Sequence, residues 1–431
     1  MAPQAVHDHR GRRPDVVSRP PIQTETALEA APAHPADSRL PVFANRAHFP
    51  CADGLRAVAA VMVIFTHVAD STGSYSSTFL GAFFARMDAG VAVFFVLSGF
   101  LLYRPFVVAH FAGTPRPALL PFWWRRFLRI VPAYWLALTF FIAIGTISVP
   151  GWGHIGYLYG FGQIYSKAHV LDGLVQAWTL CVEITFYLFL PVFAIVLRRL
   201  AAGVTNKLRV ELVAVAALWV IGVTTHTVLL ATHESSTPAT LWLPAQIDLF
   251  ALGMFLAVVS AWSVQRGAVP RAAAAAGRHP WWCWLVAAAA FFTVSKVFDI
   301  PRGLAQLTTG QEMSRQLLYA ATAFFLVLPA VFGPQDRGFV RKFLRAPVIA
   351  WLGLVSYGIY LWHKPILDEL VARHNALGWV PSARFLSVFV VVVALTLVAS
   401  AISYYGLERP VLRLKNRVPD RRPRPRDLTR A

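Results

Sequence analysis

The stretch DGLRAVAAVMVIFTHVAD, residues 53–70, places His67 eleven positions after Arg56 with only uncharged residues between them. At a helical rise of 1.5 Å per residue, these eleven steps span roughly 16 Å, about half of a ~30 Å hydrocarbon layer. If Arg56 lies at one face of a membrane, His67 lies near its middle. Ionisable groups at that depth are costly and usually functional, so His67 is a candidate site residue. The alternative is a neutral histidine paired with a neighbouring carbonyl group.

Composition places the chain among multi-pass membrane proteins. Of its 431 residues, 57% are hydrophobic and only 14% are charged, whereas soluble proteins carry about 25% charged residues. The net charge of +19 is distributed over short loops and both ends of the chain, which argues against nucleic acid as a partner. The three cysteines, Cys51, Cys181 and Cys283, fit no disulfide framework or zinc-ligand spacing, so no metal site is predicted.

Ten apolar stretches are long enough to cross a hydrocarbon layer as helices. The sequence therefore predicts an all-α integral membrane protein with about ten transmembrane helices. The third and the ninth stretches carry enough polar residues to be broken or tilted. The ten stretches lie at about 55–72, 82–104, 127–148, 174–197, 210–231, 241–261, 281–298, 316–333, 347–363 and 385–406.

Lysine and arginine residues are distributed unevenly between the two predicted sides of the membrane. With the N-terminus in the cytoplasm, 32 of the 40 fall in cytoplasmic segments and 8 in outer segments. Cytoplasmic loops carry such an excess, so we expect a multi-pass plasma-membrane protein with both termini cytoplasmic. Its predicted parts are a disordered tail over residues 1–46, a transmembrane domain over 47–415 and a basic tail over 416–431.

The third predicted helix opens with WWRRFLRIVP, residues 123–132. Arg126 and Arg129 are three positions apart and share a helical face. Arginine binds phosphate bidentately, so this pair, with Arg125 beside it, is a candidate site for the phosphates of a cytosolic cofactor. Ordinary anchoring by basic residues and a tryptophan belt explains the same residues equally well.

Glu183 lies in the fourth predicted helix, about nine residues or roughly 14 Å from its outer end. An unpaired carboxylate is costly in hydrocarbon. Glu183 and His67 are predicted to reach a similar depth, so they form a candidate pair. A carboxylate that accepts the imidazole N–H fixes its tautomer and raises its basicity, as a general base requires. Pairing of Glu183 with another polar group is the alternative.

Other polar positions receive structural interpretations. Ser98 and Gly99 are expected to let helices approach closely, as small residues do. Asp248 is interpreted as a lining residue of the sixth helix. His363, near the outer face, fits an aromatic interfacial belt at least as well as it fits acceptor binding. The sequence contains no P-loop, GxSxG or HExxH motif.

Taken in order along the chain, these motifs resemble those of the membrane-bound acyltransferase 3 family. Its members are O-acyltransferases of bacterial cell-envelope glycans, glycolipids and antibiotics. The resemblance covers roughly residues 47–415. It rests on DGLRA with the spacing from Arg56 to His67, and on GVAVFFVLSGFLL, RRFLRIVPAYW, AWTLCVEITFYLFLP, SYGIYLWHKPI and YGLERP.

The resemblance implies transfer of an acyl group, commonly acetyl, from cytosolic acyl-CoA to a hydroxyl on an extracytoplasmic or membrane acceptor. By that analogy His67 is the catalytic histidine, Arg56 is its partner in the first motif, and Glu183 belongs to the catalytic cavity. Arg126 and Arg129 belong to the acyl-CoA site.

One position departs from the family pattern. Many members carry an acidic residue in a GVDxFF run, where this chain has Ala92. Asp88 lies four positions earlier. Any role of the family's carboxylate at this position therefore does not transfer to this chain.

The sequence thus predicts an integral-membrane O-acyltransferase in which acyl-CoA docks on Arg125, Arg126 and Arg129. His67, oriented by Glu183, is expected to act as the general base. The expected partners are the lipid bilayer and an envelope glycan, glycolipid or lipid-linked acceptor, with no nucleic acid and no metal. A proton-coupled secondary transporter with a His/Glu relay is the alternative, although the sequence lacks the paired broken helices typical of transporters. A scaffold of a polymer-export complex is a third hypothesis.

Overall fold

The computed structural model describes residues 49–75, 79–149, 151–170, 172–232, 238–298, 300–302, 307–373 and 384–418. The N-terminal tail predicted over residues 1–46 lies outside the described residues, as does residue 419 onward of the predicted C-terminal tail. The described part of the chain is helical and contains no β-strand.

Long helices alternate with short ones along the chain. A 3₁₀ turn, Val175–Ala177, comes directly before α6, and a π-helical turn, Tyr404–Glu408, follows α15. The α-helices of the described residues are α1 (Pro50–Ser71), α2 (Gly81–Phe84), α3 (Ala89–Phe111), α4 (Leu119–Ala143), α5 (Trp152–Tyr159), α6 (Trp178–Leu200), α7 (Lys207–Ala231), α8 (Leu243–Arg266), α9 (Arg271–Arg278), α10 (Pro280–Lys296), α11 (Thr309–Phe332), α12 (Phe339–Leu344), α13 (Pro347–Leu354), α14 (Ser356–Arg373), α15 (Arg384–Ser403) and α16 (Arg409–Leu412).

Eight helical segments of the described residues are long and apolar enough to cross a membrane. They coincide with eight of the ten predicted stretches, which confirms an all-α integral membrane protein. The seventh stretch forms α10, which has only 17 residues. The ninth is broken between α13 and α14 at Val355, whereas the third continues as one helix through Pro132.

Helices α3 and α8 pack against each other along glycine contacts. A Cβ atom on Gly99 would lie 2.1 Å from the carbonyl oxygen of Phe250, and one on Gly253 would lie 1.9 Å from that of Val96. Neither position has room for a side chain, so the two backbones approach as closely as small residues allow. The predicted packing role of Gly99 is confirmed.

The first turns of α1 are fixed by two further glycines. A Cβ on Gly54 would lie 2.2 Å from the carbonyl oxygen of Leu344, and one on Gly353 would lie 2.1 Å from that of Asp53. The segment before α13 and α13 itself therefore rest directly on the start of α1. This packing sets the position from which Arg56 extends.

The break between α13 and α14 brings polar side chains toward the centre of the molecule. Ser356, the first residue of α14, donates its hydroxyl to the carbonyl oxygen of Gly353 at 2.8 Å. One position on, the Tyr357 hydroxyl donates to the carbonyl oxygen of Ile130 in α4 at 2.7 Å. α14 is thus attached to α4 at the level where the two helices line a cavity.

The segment between α4 and α6 is anchored at several points. The Tyr134 hydroxyl donates to the carbonyl oxygen of Leu158 at 2.8 Å, and the Trp242 indole N–H donates to that of Ile164 at 2.6 Å. Gln176, in the 3₁₀ turn, donates to the carbonyl oxygen of Leu361 at 2.8 Å. These bonds fix the start of α6, and α6 carries Glu183.

Candidate active site

A cavity lies among α1, α3, α4, α6 and α14. Its wall combines arginine side chains with aromatic rings and a few hydroxyl groups. We call it the cationic cavity. Its lining residues are Arg56, Val91, Phe94, Phe95, Ser98, Arg126, Arg129, Ile130, Thr179, Leu180, Glu183, Tyr187, Ser356, Tyr357 and Tyr360.

Three guanidinium groups face one carboxylate in this cavity. Arg56, Arg126 and Arg129 lie within electrostatic range of one another, and Glu183 is the only acidic residue of the lining. Arg126 packs on the Phe122 ring at 5.8 Å, and its buried Nε has no hydrogen-bond partner. A buried donor without an acceptor is costly. The cavity therefore has both the charge and a vacant donor for an anionic ligand.

Both oxygens of the Glu183 carboxylate are engaged. Ser98 donates its hydroxyl to one oxygen at 3.0 Å, and Tyr187 donates to the other at 2.8 Å. Tyr187 lies one helical turn after Glu183, the spacing at which side chains meet on one face. Glu183 is also within electrostatic range of Arg56 and Arg126. Its position is thus fixed by two hydroxyls and two cations.

A further acidic residue lies behind Arg129. Glu408, in the π-helical turn, is buried and accepts the hydroxyl of Ser403 at 3.3 Å. Its carboxylate is within electrostatic range of Arg129, although it does not line the cavity. Arg129 is therefore partly compensated from outside the cavity.

His67 lies beyond the cationic cavity. Eleven helical steps of 100° return it to within about 20° of the face of α1 that carries Arg56. At 1.5 Å of rise per step, it lies roughly 16 Å farther along the helix. Its ring centroid is 5.2 Å from that of His363, which is fully buried. His363 Nδ1 is 3.1 Å from the carbonyl oxygen of Ile359, and its Nε2 has no partner. If Nδ1 carries the proton, as this contact requires, Nε2 is a free acceptor.

The Tyr360 ring connects the cavity wall to the histidine pair. Phe94 and Tyr360 both line the cavity, and their ring centroids are 5.8 Å apart. The Tyr360 ring is in turn 5.8 Å from that of His363. The cationic cavity therefore ends at an aromatic pair whose far side adjoins His363.

The structure brings together Arg56, Arg126, Arg129 and Glu183 as lining residues of one cavity. It does not bring His67 to Glu183, because Glu183 is bonded to Ser98 and Tyr187 and no hydrogen bond joins it to His67. The neighbour of His67 is His363 instead. Arg125 is near Arg126 but does not line the cavity.

Sequence reasoning missed three residues of this region. Tyr187 follows Glu183 by four positions, so helical spacing alone identifies it as a partner. Ser98 was given a packing role, but its hydroxyl lies in the cavity. His363 fits an interfacial belt at least as well as acceptor binding in the sequence, but its fully buried side chain does not fit the belt. The argument that singled out His67, an ionisable group among apolar residues, applies equally to His363.

A second cavity of about 590 Å³ lies among α3, α7, α8 and α11 and shares Val91 with the first. Its charges are paired: Tyr319 donates to Asp88, and Arg315 binds Glu312. Asp248 lies beside this second cavity rather than in its lining. It accepts from Gln316, which does line the cavity, at 3.1 and 3.2 Å.

The departure at Ala92 falls in this second cavity. Ala92 and Asp88, one helical turn apart on α3, both line it. The carboxylate of Asp88 therefore reaches the cavity whose wall Ala92 leaves open.

Comparisons with known proteins point to one kind of activity. A family model described as an acyltransferase domain matches residues 49–405. The chain is 25% identical over 346 residues to the peptidoglycan O-acetyltransferase OatA of Listeria monocytogenes, covering 75% of the chain and 50% of that protein. It is 26% identical over 426 residues to the putative membrane-bound transacylase BcsY of Komagataeibacter xylinus, covering 91% and 92%.

A third relative is the putative peptidoglycan O-acetyltransferase YrhL of Bacillus subtilis, 24% identical over 389 residues, with 84% of the chain and 55% of that protein covered. The chain thus spans about half the length of the two peptidoglycan O-acetyltransferases. No solved structure matches the chain significantly. These relatives and the membrane-capable helices identify a multi-pass protein of the cell membrane.

Proposed function

Since this chain belongs to the acyltransferase 3 family, we propose that it is a membrane O-acyltransferase that uses acyl-CoA as donor. The acyl group would be acetyl, and the acceptor a hydroxyl of an envelope glycan, glycolipid or lipid-linked compound. The observation that carries the proposal is the cationic cavity, in which three guanidinium groups face one carboxylate. The CoA part of the donor is an anion with several phosphate oxygens, which arginine binds bidentately.

The orientation of the chain belongs to the same proposal. The excess of lysine and arginine on one predicted side places the start of α1 and the start of α4 at the cytoplasm. Arg56, Arg126 and Arg129 then lie on the cytoplasmic half of the protein. A donor made in the cytosol reaches them without crossing the membrane.

In the bound state the phosphates would lie against Arg126 and Arg129, with Arg125 at the edge of the site. The buried Nε of Arg126 would gain the acceptor that it lacks. The thioester lies at the end of the long pantetheine arm and would point along α1 toward His67, roughly 16 Å from Arg56. Its route passes Phe94 and Tyr360, so these rings must turn aside when the donor enters.

His67 would serve as the general base, with His363 as its positioning partner. The free Nε2 of His363 would accept the N–H of one His67 ring nitrogen after a small rotation of the ring. The other nitrogen of His67 would take the proton of the acceptor hydroxyl as its oxygen attacks the thioester carbonyl. The ester forms, the carbon–sulfur bond breaks, and the thiolate of CoA takes the proton back from the imidazolium.

Glu183 would act inside the donor site. It offsets part of the positive charge of Arg56 and Arg126, and it holds the hydroxyls of Ser98 and Tyr187. The role predicted for it, to orient His67, would require direct contact, which this conformation lacks. The same separation argues against the transporter alternative, because a His/Glu proton relay needs the two groups to be adjacent. The relatives are named as an O-acetyltransferase and a putative transacylase, which does not support a transporter either.

The proposal is tested with the purified protein in nanodiscs and acetyl-CoA carrying a radiolabelled acetyl group. We expect label to move to an envelope fraction from a strain in which the gene is deleted, because that fraction holds unmodified acceptor. Mass spectrometry of the envelope of the deletion strain should show loss of one acetyl increment from one component. An unchanged envelope together with no consumption of acetyl-CoA would reject the proposal.

A further inference from the structure

The segment between α4 and α6 carries two histidines and an aspartate that the proposed reaction does not use. His154 lies in α5, and His169 and Asp172 lie in the turn before the 3₁₀ turn Val175–Ala177. One ligand atom of each, a ring nitrogen or a carboxylate oxygen, lies within 4.8 Å of the other two. We propose that these three residues bind a divalent transition-metal ion of the zinc type.

The distances within the cluster fit a shared ion. Asp172 Oδ2 lies 2.9 Å from His169 Nδ1 and 3.7 Å from His154 Nε2. In a tetrahedral zinc site with metal–ligand distances near 2.0–2.2 Å, neighbouring ligand atoms are about 3.3 Å apart. The two distances lie on either side of that value. The ring nitrogens of His154 and His169 also lie within 4.8 Å of each other, so side-chain adjustments would bring all three atoms around one ion.

An ordinary hydrogen-bonded cluster explains only half of this arrangement. At 2.9 Å, His169 Nδ1 donates to Asp172. At 3.7 Å, His154 Nε2 is too far away for a hydrogen bond to the same oxygen, yet its ring packs edge-on against that of His169 with centroids 4.2 Å apart. Two imidazoles whose nitrogens converge on one carboxylate oxygen become co-ligands of a metal when the ion replaces the Nδ1 proton of His169 and that ring carries its proton on Nε2 instead.

The backbone holds the two halves of the cluster together. Gly173, next to Asp172, has a positive φ of 70°, and a Cβ there would lie 2.7 Å from the Leu158 side chain of α5. The turn therefore sits directly on the helix that carries His154. Asp172 N also donates to the carbonyl oxygen of His169 at 3.0 Å, which fixes these two ligands relative to each other.

The donor set and its exposure indicate the kind of ion. The side chains of His154, His169 and Asp172 are 29%, 15% and 33% exposed, so an ion and a water molecule can reach them from solvent. Imidazole nitrogen suits zinc and its neighbours, whereas magnesium and calcium prefer oxygen ligands throughout. Two imidazoles and one carboxylate leave the fourth tetrahedral position for water.

A bound ion would fasten α5 to the segment that leads into the cationic cavity. Asp172 precedes the 3₁₀ turn by three residues, and the Tyr360 hydroxyl donates to the carbonyl oxygen of Gln176 in that turn at 2.9 Å. Tyr360 lines the cavity. The expected effect of the ion is therefore structural. The three ligands form no short motif and include no cysteine, so the site is not predictable from ligand spacing in the sequence.

The test uses the full-length protein purified with a tag that contains no histidine. The protein is stripped with a chelator, dialysed, and titrated with zinc chloride, with magnesium chloride in a parallel titration. We expect about one zinc per chain by elemental analysis after gel filtration and a rise in Tm on adding zinc but not magnesium. Asp172→Asn and His154→Gln should abolish both effects, and His279→Ala, which removes an exposed histidine elsewhere, should preserve them.

Tyr157→Leu separates metal binding from packing, because this ring stacks on His169 at 4.5 Å but offers no ligand to the ion. It should lower Tm with and without zinc and leave the stoichiometry unchanged. Zinc binding retained in both Asp172→Asn and His154→Gln would overturn the proposal. A wild-type protein that binds no zinc at 100 µM, a concentration about ten times the Kd of a weak site, and shows no shift in Tm would also overturn the proposal.

Discussion

The cationic cavity and the second cavity share Val91 of α3 but differ in charge. The first has three guanidinium groups and one carboxylate in its lining, and Arg126 keeps a donor without a partner. The second has two carboxylates and one guanidinium, and these are bound to each other or to Tyr319. Both are polar cavities inside a mainly apolar protein, yet only in the first do the guanidinium groups of the lining outnumber its carboxylates.

The difference separates a binding site from a polar packing site with similar residue types. Charged groups that are already paired within the protein attract an added anion only weakly. The guanidinium groups in the lining of the first cavity outnumber its one carboxylate, although Arg56 also pairs with Asp53 at 3.5 Å and Glu408 lies within electrostatic range of Arg129. The buried Nε of Arg126 that lacks an acceptor, rather than the volume of either cavity, is therefore what points to the donor site.

Removal of the arginine pair should have the largest effect on donor binding. In Arg126→Ala/Arg129→Ala, we expect the Kd for acetyl-CoA to rise at least about 100-fold, because buried charge-assisted bonds to phosphate are lost. Equilibrium binding of radiolabelled acetyl-CoA to the purified protein measures this. Arg315→Ala, in the second cavity, is the matched control and should change Kd by less than about twofold. Equal losses in both variants would show that the two cavities do not differ as described.

The packing of α3, the helix that contributes Val91 to both cavities, can be tested through Gly99. In Gly99→Ala the new methyl group meets the backbone of Phe250, so α3 and α8 must move apart. We expect a loss of about 1–3 kcal/mol in unfolding free energy, visible as a lower Tm. Gly310→Ala is the control, because no atom lies within 4 Å of a Cβ there. An unchanged Tm in Gly99→Ala would mean that this contact is looser than the structure has it.

The smallest effect is expected for Glu183→Gln. The amide keeps an acceptor oxygen for Ser98 or Tyr187 but removes the charge that offsets Arg56 and Arg126. The Kd for acetyl-CoA should therefore stay within about threefold of wild type or fall, and its dependence on sodium chloride should steepen. Asp70→Asn is the control, because it also removes one negative charge but at an exposed position. Weaker binding by more than tenfold would assign the carboxylate a direct contact with the donor.

Much of this site follows from the sequence. Helical spacing puts Arg56 and His67 on one face of α1, and Arg126 and Arg129 on one face of α4. Positions along a single helix are fixed by its regular rise and rotation, so such relations survive folding. Of the arginines predicted to act together, Arg126 and Arg129 line one cavity and Arg125 does not.

Relations between helices were harder to predict. The depth of Glu183 was counted from residue 174, but α6 begins at Trp178 after a 3₁₀ turn that is bonded to α14. The later start alone would move Glu183 toward the outer end of α6, yet Glu183 lines the same cavity as Arg56 and is bonded to Ser98 and Tyr187 instead of His67. Depth counted from helix ends assumes that all helices start at the same plane. It also leaves lateral neighbours undetermined, so the partner of His67 turned out to be His363 on α14.

Donor binding and proton transfer are thus assigned to opposite ends of one stretch of α1, and one paired measurement tests that division. The Kd for acetyl-CoA and the single-turnover rate of acetyl transfer are measured on the same preparations of wild type, His67→Ala and Arg126→Ala/Arg129→Ala. We predict that His67→Ala binds acetyl-CoA within about twofold of wild type and transfers acetyl at least about 100-fold more slowly, whereas the arginine variant fails at binding. Wild-type transfer rates in His67→Ala, or normal binding in the arginine variant, would contradict the account.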